Sequence, residues 1–337
     1  MTRSRPPYVR RKRKTSMKSD YGVLIDKLRV GREIIVCGHI NPDPDCIGAM
    51  LALDRAFSGE SRGWRLVMDD AVPSYLDYLQ GVERFITPDD LDIKPHTVLL
   101  VDCSEPERCG KWLPPLIEQY QPELFCLDHH LSNDFSGDAM VLETDAAASG
   151  EIVAVLIQKA GIEIDTAIAT QLYTAIVGDT GCFRYTNTTP RTLRISADLL
   201  DKHIDAEQII IRLFENHSLK NMQMIRVAFD NMQVEADGQL CYMVIDYQSK
   251  LNAGAGGSDC DNIVSNTLTL SGVKIGLLFD EHPDLVKVSM RCRNGYRVDQ
   301  LAQRFGGGGH LLASGCRVKG SLEQVKDQVL TAARQLL

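Results

Sequence analysis

The 337-residue chain lacks several features that would define its class at once. No apolar run approaches the ~20 residues that a membrane-spanning helix needs, and the first residues contain no apolar core of a secretory signal. The ten cysteines include no C-x-x-C pair, which argues against a structural zinc site. A chain of this size also needs no disulfide scaffold. We therefore expect a cytoplasmic protein with reduced thiols and no membrane partner.

Charge is unevenly distributed along the sequence. The whole chain has a net charge of −8, but residues 1–18 contain eight Lys and Arg side chains and no acidic one. The remainder has 29 basic against 45 acidic side chains, a net charge of −16. We expect residues 1–20 to form a basic, disordered tail, with a weak nucleic-acid contact as the alternative. The acidic remainder offers no basic track for a long nucleic-acid strand.

Apolar strands alternate with helical patterns in the first two thirds of the chain. The strand-like runs there are EIIVCGHI, WRLVM, TVLLVDCS and LFCLDHH. This alternation predicts an α/β domain with a doubly wound parallel sheet at residues 21–203. Helical stretches without a strand between them predict a connector at 204–232. The remainder, 233–337, has a hairpin signal, a helix-like SDCDNIVSNTLTLSG, further strands and a closing helix, which predict a smaller α+β domain.

Acidic and histidine side chains follow three of the predicted strands at the points where these strands end. They are His39, Asp43 and Asp45 after the first, Asp102 after the third, and Asp128, His129 and His130 after the fourth. Asp179 ends an apolar helix. The carboxyl ends of parallel strands meet at one edge of a sheet, where ligands bind. One such acid is more often a helix cap, but many carboxylates in one place repel one another unless cations are bound.

The types of side chain at these positions indicate the kind of ion. Four Asp and two His without Cys favour octahedral ions such as Mn²⁺ or Mg²⁺ over structural zinc. This number of side chains suits two ions that share a bridging carboxylate. The pattern therefore predicts a two-metal centre.

Six segments of the sequence resemble the DHH phosphoesterase family. HINPDPD, VDCS, LDHH and VGDTGCFRYTN, in this order, resemble its four motifs. SMRCR and RFGGGGHLLASG resemble the C-terminal substrate-binding domain associated with it, so the resemblance runs from about Gly31 to Val318. The chain is most similar to the stand-alone two-domain members that act as nanoRNases and pAp phosphatases. Its segment TGCFRYTNTTPRT resembles the fourth motif of these members.

The resemblance implies a role for each strand-end residue. The first ion would be held by His39, Asp43 and Asp102. The second would be held by Asp45, Asp102, His129 and Asp179. Asp128 would orient a ligand by accepting a hydrogen bond, and His130 would face the scissile phosphate. Asp102, Asp128 and His130 are thus the expected catalytic residues.

One position departs from the family pattern. The family usually has Gly between the two acids of its first motif, whereas this chain has Pro44. Proline fixes φ and removes an N–H. The spacing of the two acids is unchanged, so we expect both to keep their role as ligands.

The glycine-rich segment of the second domain resembles the family's site for a terminal phosphate. Glycine N–H groups without neighbouring side chains can hold a phosphate. The expected substrate contacts are Arg291, Gly307, Gly308, Gly309 and His310.

These expectations combine into a two-metal phosphohydrolase. It would cleave short oligoribonucleotides to nucleoside monophosphates, dephosphorylate pAp to AMP, or both. We expect two Mn²⁺ ions, with Mg²⁺ or Co²⁺ as alternatives, and the partners would be short RNA, pAp or dinucleotides. The sequence leaves open whether the protein forms a homodimer.

Two other functions fit the same residues. The first is a phosphodiesterase of cyclic or linear dinucleotides such as c-di-AMP and pApA. The second, a non-enzyme, is a nucleotide- or RNA-binding module with a decayed centre. The main objection to this second function is that all six ligand positions hold residue types that can bind a metal.

Overall fold

The computed structural model describes residues 20–59, 63–131, 133–293, 295–309 and 311–337. These residues form two compact units that divide between Asn216 and His217. The predicted connector is therefore shared between the units, and the predicted boundaries stay predictions. Residues 1–19 of the predicted tail lie outside the described residues. Within the described part of the chain, no helix is long and apolar enough to cross a membrane.

The first unit is built on a six-stranded, all-parallel sheet. Its strands are β1 Ile34–Cys37, β2 Arg65–Val67, β3 Phe85–Ile86, β4 Thr97–Val101, β5 Glu123–Asp128 and β6 Ala139–Leu142. Their order is β3-β2-β1-β4-β5-β6, with parallel pairing throughout. The predicted parallel sheet is confirmed, and β3 and β6 are strands that the sequence patterns did not reveal.

Both faces of this sheet are covered, as expected for a doubly wound fold. Along β1, Ile34 and Val36 pack on one face with the helices that follow β1 and β6. Ile35 and Cys37 pack on the other face with the helix that precedes β5. A strand buried on both sides has no polar alternation, which explains the continuous apolar runs in the sequence.

The helices of the first unit precede, connect and follow its strands. They are α1 Tyr21–Val30, α2 Pro44–Phe57, α3 Leu113–Tyr120, α4 Ser149–Lys159, α5 Thr166–Asp179, α6 Pro190–Leu200 and α7 Ala206–Ile210, which continues as a π-helical turn, Ile211–Glu215. Short 3-10 turns are Ser74–Leu76, Val82–Arg84, Pro88–Asp90 and Pro106–Cys109. Most helices begin at an Asp or Thr whose side chain accepts a backbone N–H, as at Asp165 of α5.

The second unit has a mixed six-stranded sheet. Its strands are β7 Gln233–Glu235, β8 Leu240–Ile245, β9 Ile275–Glu281, β10 Leu285–Cys292, β11 Gly308–Gly309 and β12 Ala313–Lys319. Their order is β11-β12-β10-β9-β8-β7, and only β8 with β9 is parallel among the described pairs. The helices are α8 Leu219–Asp230, α9 Tyr247–Ala253, α10 Val298–Arg304 and α11 Leu322–Arg334.

Alternation along β10 separates the two faces of the second sheet. Val286, Val288 and Met290 are buried in a core with residues of α10 and α11. A second cluster covers the β8 and β9 part of the opposite face. It includes residues of the segment SDCDNIVSNTLTLSG, which forms two 3-10 turns, Ser258–Cys260 and Ile263–Thr269, rather than the predicted helix.

The packing of α2 on α5 depends on Gly48. A Cβ at this position would lie 2.4 Å from the Gln171 carbonyl oxygen. We predict that Gly48→Ala lowers the free energy of unfolding by about 1–3 kcal/mol, because the helices must move apart. Urea-induced unfolding of the metal-free protein measures this change.

Gly22, an exposed glycine of α1, provides the control. A Cβ there would meet only the Asp20 carboxylate, at 3.4 Å. Gly22→Ala should stabilise the chain by about 0.5–1 kcal/mol through helix propensity. Equal effects of the two substitutions would contradict the close approach of α2 and α5.

Candidate active site

The strand-end side chains lie where the connections of the first sheet change direction. The chain leaves β1 towards β2 on one side and leaves β4 towards β5 on the other, while β1 and β4 are neighbours. Connections that diverge in this way leave a crevice at the carboxyl ends of the two strands. His39 follows β1 and Asp102 follows β4. The structure therefore brings these two side chains to the usual ligand position of such a sheet.

The first motif forms the start of α2. Asp43 is the N-cap, and its carboxylate accepts the Cys46 N–H at 3.0 Å. Pro44 takes the first helical position, where its fixed φ suits the helix and its missing N–H has no intrahelical partner to lose. Asp45 lies in the first turn and is buried. The departure from the family pattern is thus compatible with the local backbone.

Pro44 also packs against the end of α5. A Cβ at Gly178 would lie 2.7 Å from the proline Cβ. Gly178 immediately precedes Asp179, the last residue of α5. Close packing at this point brings the start of α2 and the end of α5 together, so acids from both helices reach the same site.

Asp102 is the central carboxylate of the site. Its Oδ2 lies 3.4 Å from His39 Nε2, and its Oδ1 lies 3.5 Å from His129 Nε2. The Ser149 hydroxyl donates to Oδ1 at 3.0 Å. The backbone of Asp102 is left-handed, with φ 56°, a conformation that costs energy for a non-glycine residue and is common at functional sites. The two oxygens therefore face two different histidines.

Backbone carbonyls orient both of these histidine rings. His39 Nδ1 lies 2.9 Å from the Ile40 oxygen, and His129 Nδ1 lies 3.3 Å from the Ala146 oxygen. A ring that donates from Nδ1 keeps Nε2 as the acceptor, which is the form that binds a metal. Both Nε2 atoms point towards carboxylates, so the arrangement suits cation ligation.

Asp128 binds the ring of His130, which the resemblance assigned to the substrate, whereas we expected Asp128 to orient the ring of a proposed metal ligand. The His130 Nδ1 lies 2.6 Å from Asp128 Oδ1, and the Asn133 amide donates to Oδ2 at 2.5 Å. Asp128 also accepts the backbone N–H groups of His129 and His130, at 2.8 and 3.2 Å. Burial alone would raise the pKa of Asp128, but His130 and the other donors lower it to about 2.

The close approach of the remaining carboxylates shifts the pKa values of groups in the site. Burial, followed by the charges of Asp102 and Asp179, raises the pKa of Asp45 well above its usual range. Burial raises the pKa of Asp179 to about 7, with Asp43 and Asp102 adding to the shift and His129 opposing it. Burial disfavours the charged His39 ring, but Asp102 and Asp43 raise its pKa to about 12. The site thus favours added positive charge.

Three groups of potential ligand atoms occur among the described residues, each with its atoms within 4.8 Å of one another. They are His39, Asp43 and Asp102; Asp45, His129 and Asp179; and Asp102, His129 and His130. The first two groups contain the residues that the sequence assigned to two ions, and Asp102 faces both. Oxygen and imidazole donors without thiolate fit Mn²⁺, Mg²⁺ or a similar ion. The cluster is therefore suited to divalent cations.

The chain reverses sharply after Asp179. Gly181, Cys182 and Phe183 all have left-handed φ angles, of 55°, 59° and 62°. The Asn187 amide then donates to the Asp179 carbonyl at 3.1 Å and to the Ala147 carbonyl at 2.9 Å. This loop fixes the backbone of Asp179 relative to the rest of the cluster.

The glycine segment of the second unit differs from the expected row of free N–H groups. The Gly306 and Gly307 N–H groups donate to the Gln303 and Ala302 carbonyls, at 3.1 and 2.9 Å, because the end of α10 needs donors. Gly308–Gly309 instead pairs with β12 as β11. The space beside Gly308 is open.

Arg291 lies on β10, on the face opposite to the Val286 and Met290 core. Its register partner on β12 is Ala313, one residue from the Ser314 that pairs with Gly309. Arg291 is therefore near the glycine strand, as expected. His310 lies outside the described residues.

Sequence reasoning missed the residues that support the ligands. Besides Ser149, they are Asn133, Ala146, Gly150 and Asn187. They lie in loops and at a helix start, and small or amide residues there have no pattern that distinguishes them from ordinary turn residues.

The fold and the cluster define an α/β protein with a cation-binding type of site at the carboxyl edge of its first sheet. Residues 33–176 match the model of the DHH family, N-terminal domain, and residues 237–337 match the DHHA1 domain. The chain is 30% identical over 305 residues to the bifunctional oligoribonuclease and PAP phosphatase NrnA of Thermus thermophilus, with 90% of each protein covered. The chain belongs to the DHH family.

One further relative and one solved structure are similar to this chain. The NrnA of Bacillus subtilis, a bifunctional oligoribonuclease and PAP phosphatase, is 25% identical over 301 residues, which cover 88% of this chain and 92% of that protein. The crystal structure of an exopolyphosphatase-related protein from Bacteroides fragilis superposes with a TM-score of 0.86 at 22% identity, over 94% of this chain and 96% of the other. This last likeness shows a shared fold.

We predict that Asp128 contributes to stability in a pH-dependent way. Its pKa is about 2 in the fold against an ordinary 3.8. A lowered carboxyl pKa stabilises the fold above the ordinary value, here by about 2 kcal/mol, and this contribution disappears as the pH falls towards 2. The difference in free energy of unfolding between wild type and Asp128→Asn, measured with urea in chelator, should shrink as the pH falls below 4.

Asp138→Asn is the control for this experiment. Asp138 is an exposed aspartate that accepts the Leu124 N–H at 2.8 Å. Its substitution should cost less than that of Asp128. A difference for Asp128→Asn that stays constant down to pH 3 would contradict the charge pairing with His130.

Proposed function

We propose that this protein is a two-metal phosphohydrolase that cleaves short oligoribonucleotides to nucleoside monophosphates and dephosphorylates pAp to AMP. The observation that carries the proposal is the pair of ligand groups that meet at Asp102, one oxygen facing each histidine. The Thermus and Bacillus relatives are named as bifunctional oligoribonucleases and PAP phosphatases and align over nearly the whole chain, which supports the substrate class.

Six side chains would hold the cations. His39, Asp43 and Asp102 would hold one, and Asp45, Asp102, His129 and Asp179 the other. When bound, two divalent cations supply activation of water and neutralise charge on the phosphoryl group. We propose Mn²⁺ as the physiological ion, with Mg²⁺ or Co²⁺ as alternatives, because the donors are oxygen and imidazole.

His130 would act on the substrate rather than on a cation. Asp128 holds its Nδ1, at 2.6 Å from Asp128 Oδ1. Burial opposes the charged form of His130, but Asp128 and Asp102 raise its pKa and so favour the protonated form of the ring. A protonated imidazole can donate to a phosphoryl oxygen as negative charge develops there. Asp128 thereby keeps the donor in place.

In the second unit, we propose that Arg291 and the glycine strand contact a phosphate of the substrate. Arg291 lies away from the buried core, and the open space beside Gly308 lets a phosphate approach the backbone. Gly307, Gly309 and His310 belong to the same proposed contact. A guanidinium is well suited to this task because it makes charge-assisted hydrogen bonds to phosphate oxygens.

The test is a substrate panel of pAp, pApA, c-di-AMP and RNAs of graded length with Mn²⁺, resolved by chromatography. We expect AMP from pAp and mononucleotides from short RNA, with kcat/KM falling for long strands because the acidic body offers no basic track. The Asp102→Asn substitution should lower kcat by about 100-fold or more, because it removes the carboxylate charge that both proposed cation sites share.

Arg291→Met provides the matched comparison. It should raise KM while leaving Mn²⁺ content unchanged, because Arg291 is not among the proposed ligands. Full activity of Asp102→Asn in saturating Mn²⁺ would overturn the two-metal proposal. Turnover of c-di-AMP with none of pAp or RNA would replace the proposed substrate class by the dinucleotide alternative.

A further prediction concerns the response of stability to Mn²⁺. Burial and like charges raise the pKa of Asp179 from 3.8 to about 7. A raised carboxyl pKa favours the fold at low pH, and this contribution is lost as the pH rises through 7. Mn²⁺ relieves the repulsion between ionised ligands. The increase in Tm on adding Mn²⁺ should therefore be larger at pH 8 than at pH 5.5.

Thermal unfolding in chelator and in Mn²⁺ measures this effect. In Asp179→Asn the pH dependence of the Mn²⁺ response should be weaker, because the titrating carboxyl is gone. An increase in Tm that is equal at both pH values would contradict the prediction.

A further inference from the structure

The turn between β6 and α4 contacts three of the proposed ligands without being a ligand itself. The Ala146 carbonyl lies 3.3 Å from His129 Nδ1. The Ser149 and Gly150 N–H groups donate to the two oxygens of Asp45, at 2.7 and 2.8 Å. The two N–H groups belong to the first turn of α4, whose N-cap, Ala148, has no side chain that could accept their hydrogen bonds.

Ser149 makes a second contact in the same place. Its hydroxyl donates to Asp102 Oδ1 at 3.0 Å, and the whole residue is buried. One residue therefore binds Asp45 through its backbone and Asp102 through its side chain. These two carboxylates belong to different ligand groups, so Ser149 connects both halves of the cluster.

An ion pair between the buried Glu151 and the partly exposed Arg191 holds this turn in position. Glu151 is fully buried and accepts the Ala147 N–H at 3.2 Å and the Thr192 hydroxyl at 2.9 Å. Arg191 binds Glu151 at 2.9 Å and Glu143, before the turn, at 2.5 Å. Both ends of the turn are thus attached to the same arginine. Such a pair contributes little net stability after desolvation, which favours a role in fixing geometry.

A fourth proposed ligand, Asp179, is connected to the same turn through Asn187. The Ala147 carbonyl accepts the Asn187 amide, which also donates to the Asp179 carbonyl. A Cβ at Gly150 would lie 2.5 Å from the Ala175 Cβ of α5. The turn therefore lies directly against the helix that ends in Asp179, with no room for adjustment.

We propose that Ser149 is a positioning residue that sets the orientation of Asp102 as a carboxylate shared by two cations. The inference rests on the proposed function, since it takes Asp102 and Asp45 as ligands. The Ser149 hydroxyl binds one side of Oδ1 and limits rotation of the carboxylate, so that Oδ1 faces the His129 side and Oδ2 the His39 side. The Glu151–Arg191 pair keeps Ser149 in place.

Binding of Mn²⁺ to the full chain tests this proposal without an activity assay. Loss of a hydrogen bond to a metal ligand typically weakens binding by about 10–100-fold. For Ser149→Ala we expect one of two Mn²⁺ affinities, measured by calorimetry, to fall by this factor. The electron paramagnetic resonance signal of two exchange-coupled Mn²⁺ ions should weaken at equal occupancy, because coupling needs a shared ligand in the correct orientation.

Two variants serve as comparisons. Ser196 is also buried, but its hydroxyl donates to the Thr192 carbonyl at 2.8 Å, so Ser196→Ala should bind Mn²⁺ like the wild type. Ser149→Thr keeps the hydroxyl and should keep the coupled signal. Tm in chelator shows whether each variant is folded.

The outcomes separate this inference from the proposed function. A wild-type chain that binds no Mn²⁺ would overturn the proposed two-metal function. If the wild type binds two coupled Mn²⁺ ions and Ser149→Ala binds them with the same affinity and coupling, only the role of Ser149 would be overturned. Equal weakening by Ser149→Ala and Ser196→Ala would also overturn it, because the effect would then come from general loosening of the unit.

Discussion

Repulsion between buried like charges is the constraint on which the candidate site depends. Four carboxylates and three imidazoles share a small region at the edge of the first sheet. Burial and mutual repulsion shift the pKa of Asp45 and Asp179 upwards. The chain compensates in part with donors: imidazoles, backbone N–H groups and one hydroxyl. The remaining excess of negative charge is what makes the cluster suited to divalent cations.

The scaffold provides these donors at places where backbone groups are otherwise unsatisfied. The first N–H groups of any helix need acceptors, and the start of α4 finds them in Asp45. The partial positive charge of a helix N-terminus also favours a carboxylate there. The same hydrogen bonds therefore satisfy α4 and orient a proposed ligand. Fold and site cannot be varied independently at this point, as the tight contact of Gly150 with α5 also indicates.

The second unit shows how a motif can be present while its local structure differs from expectation. A glycine run predicts exposed N–H groups, yet two of the four donate to the last carbonyls of α10. Glycine is required for another reason at Gly307, where a Cβ would lie 2.2 Å from the Gly315 carbonyl oxygen. The run therefore allows a close strand pairing, and the face beside Gly308 remains open to a ligand.

Local sequence determined the strand ends and the residue types at them. Continuous apolar runs define β1, β4 and β5, and the polar residues that follow each run must lie at the carboxyl edge of a parallel sheet. The short β3 and β6 lacked a sufficient pattern, and the second-unit segment at residues 258–272 had helical spacing but forms 3-10 turns. Only the tertiary structure decided that Asp128 binds His130, that Pro44 starts α2 and that Ser149 contacts Asp102. These contacts join residues through turn geometry or across as many as 47 positions of the chain, and no local pattern carries that information.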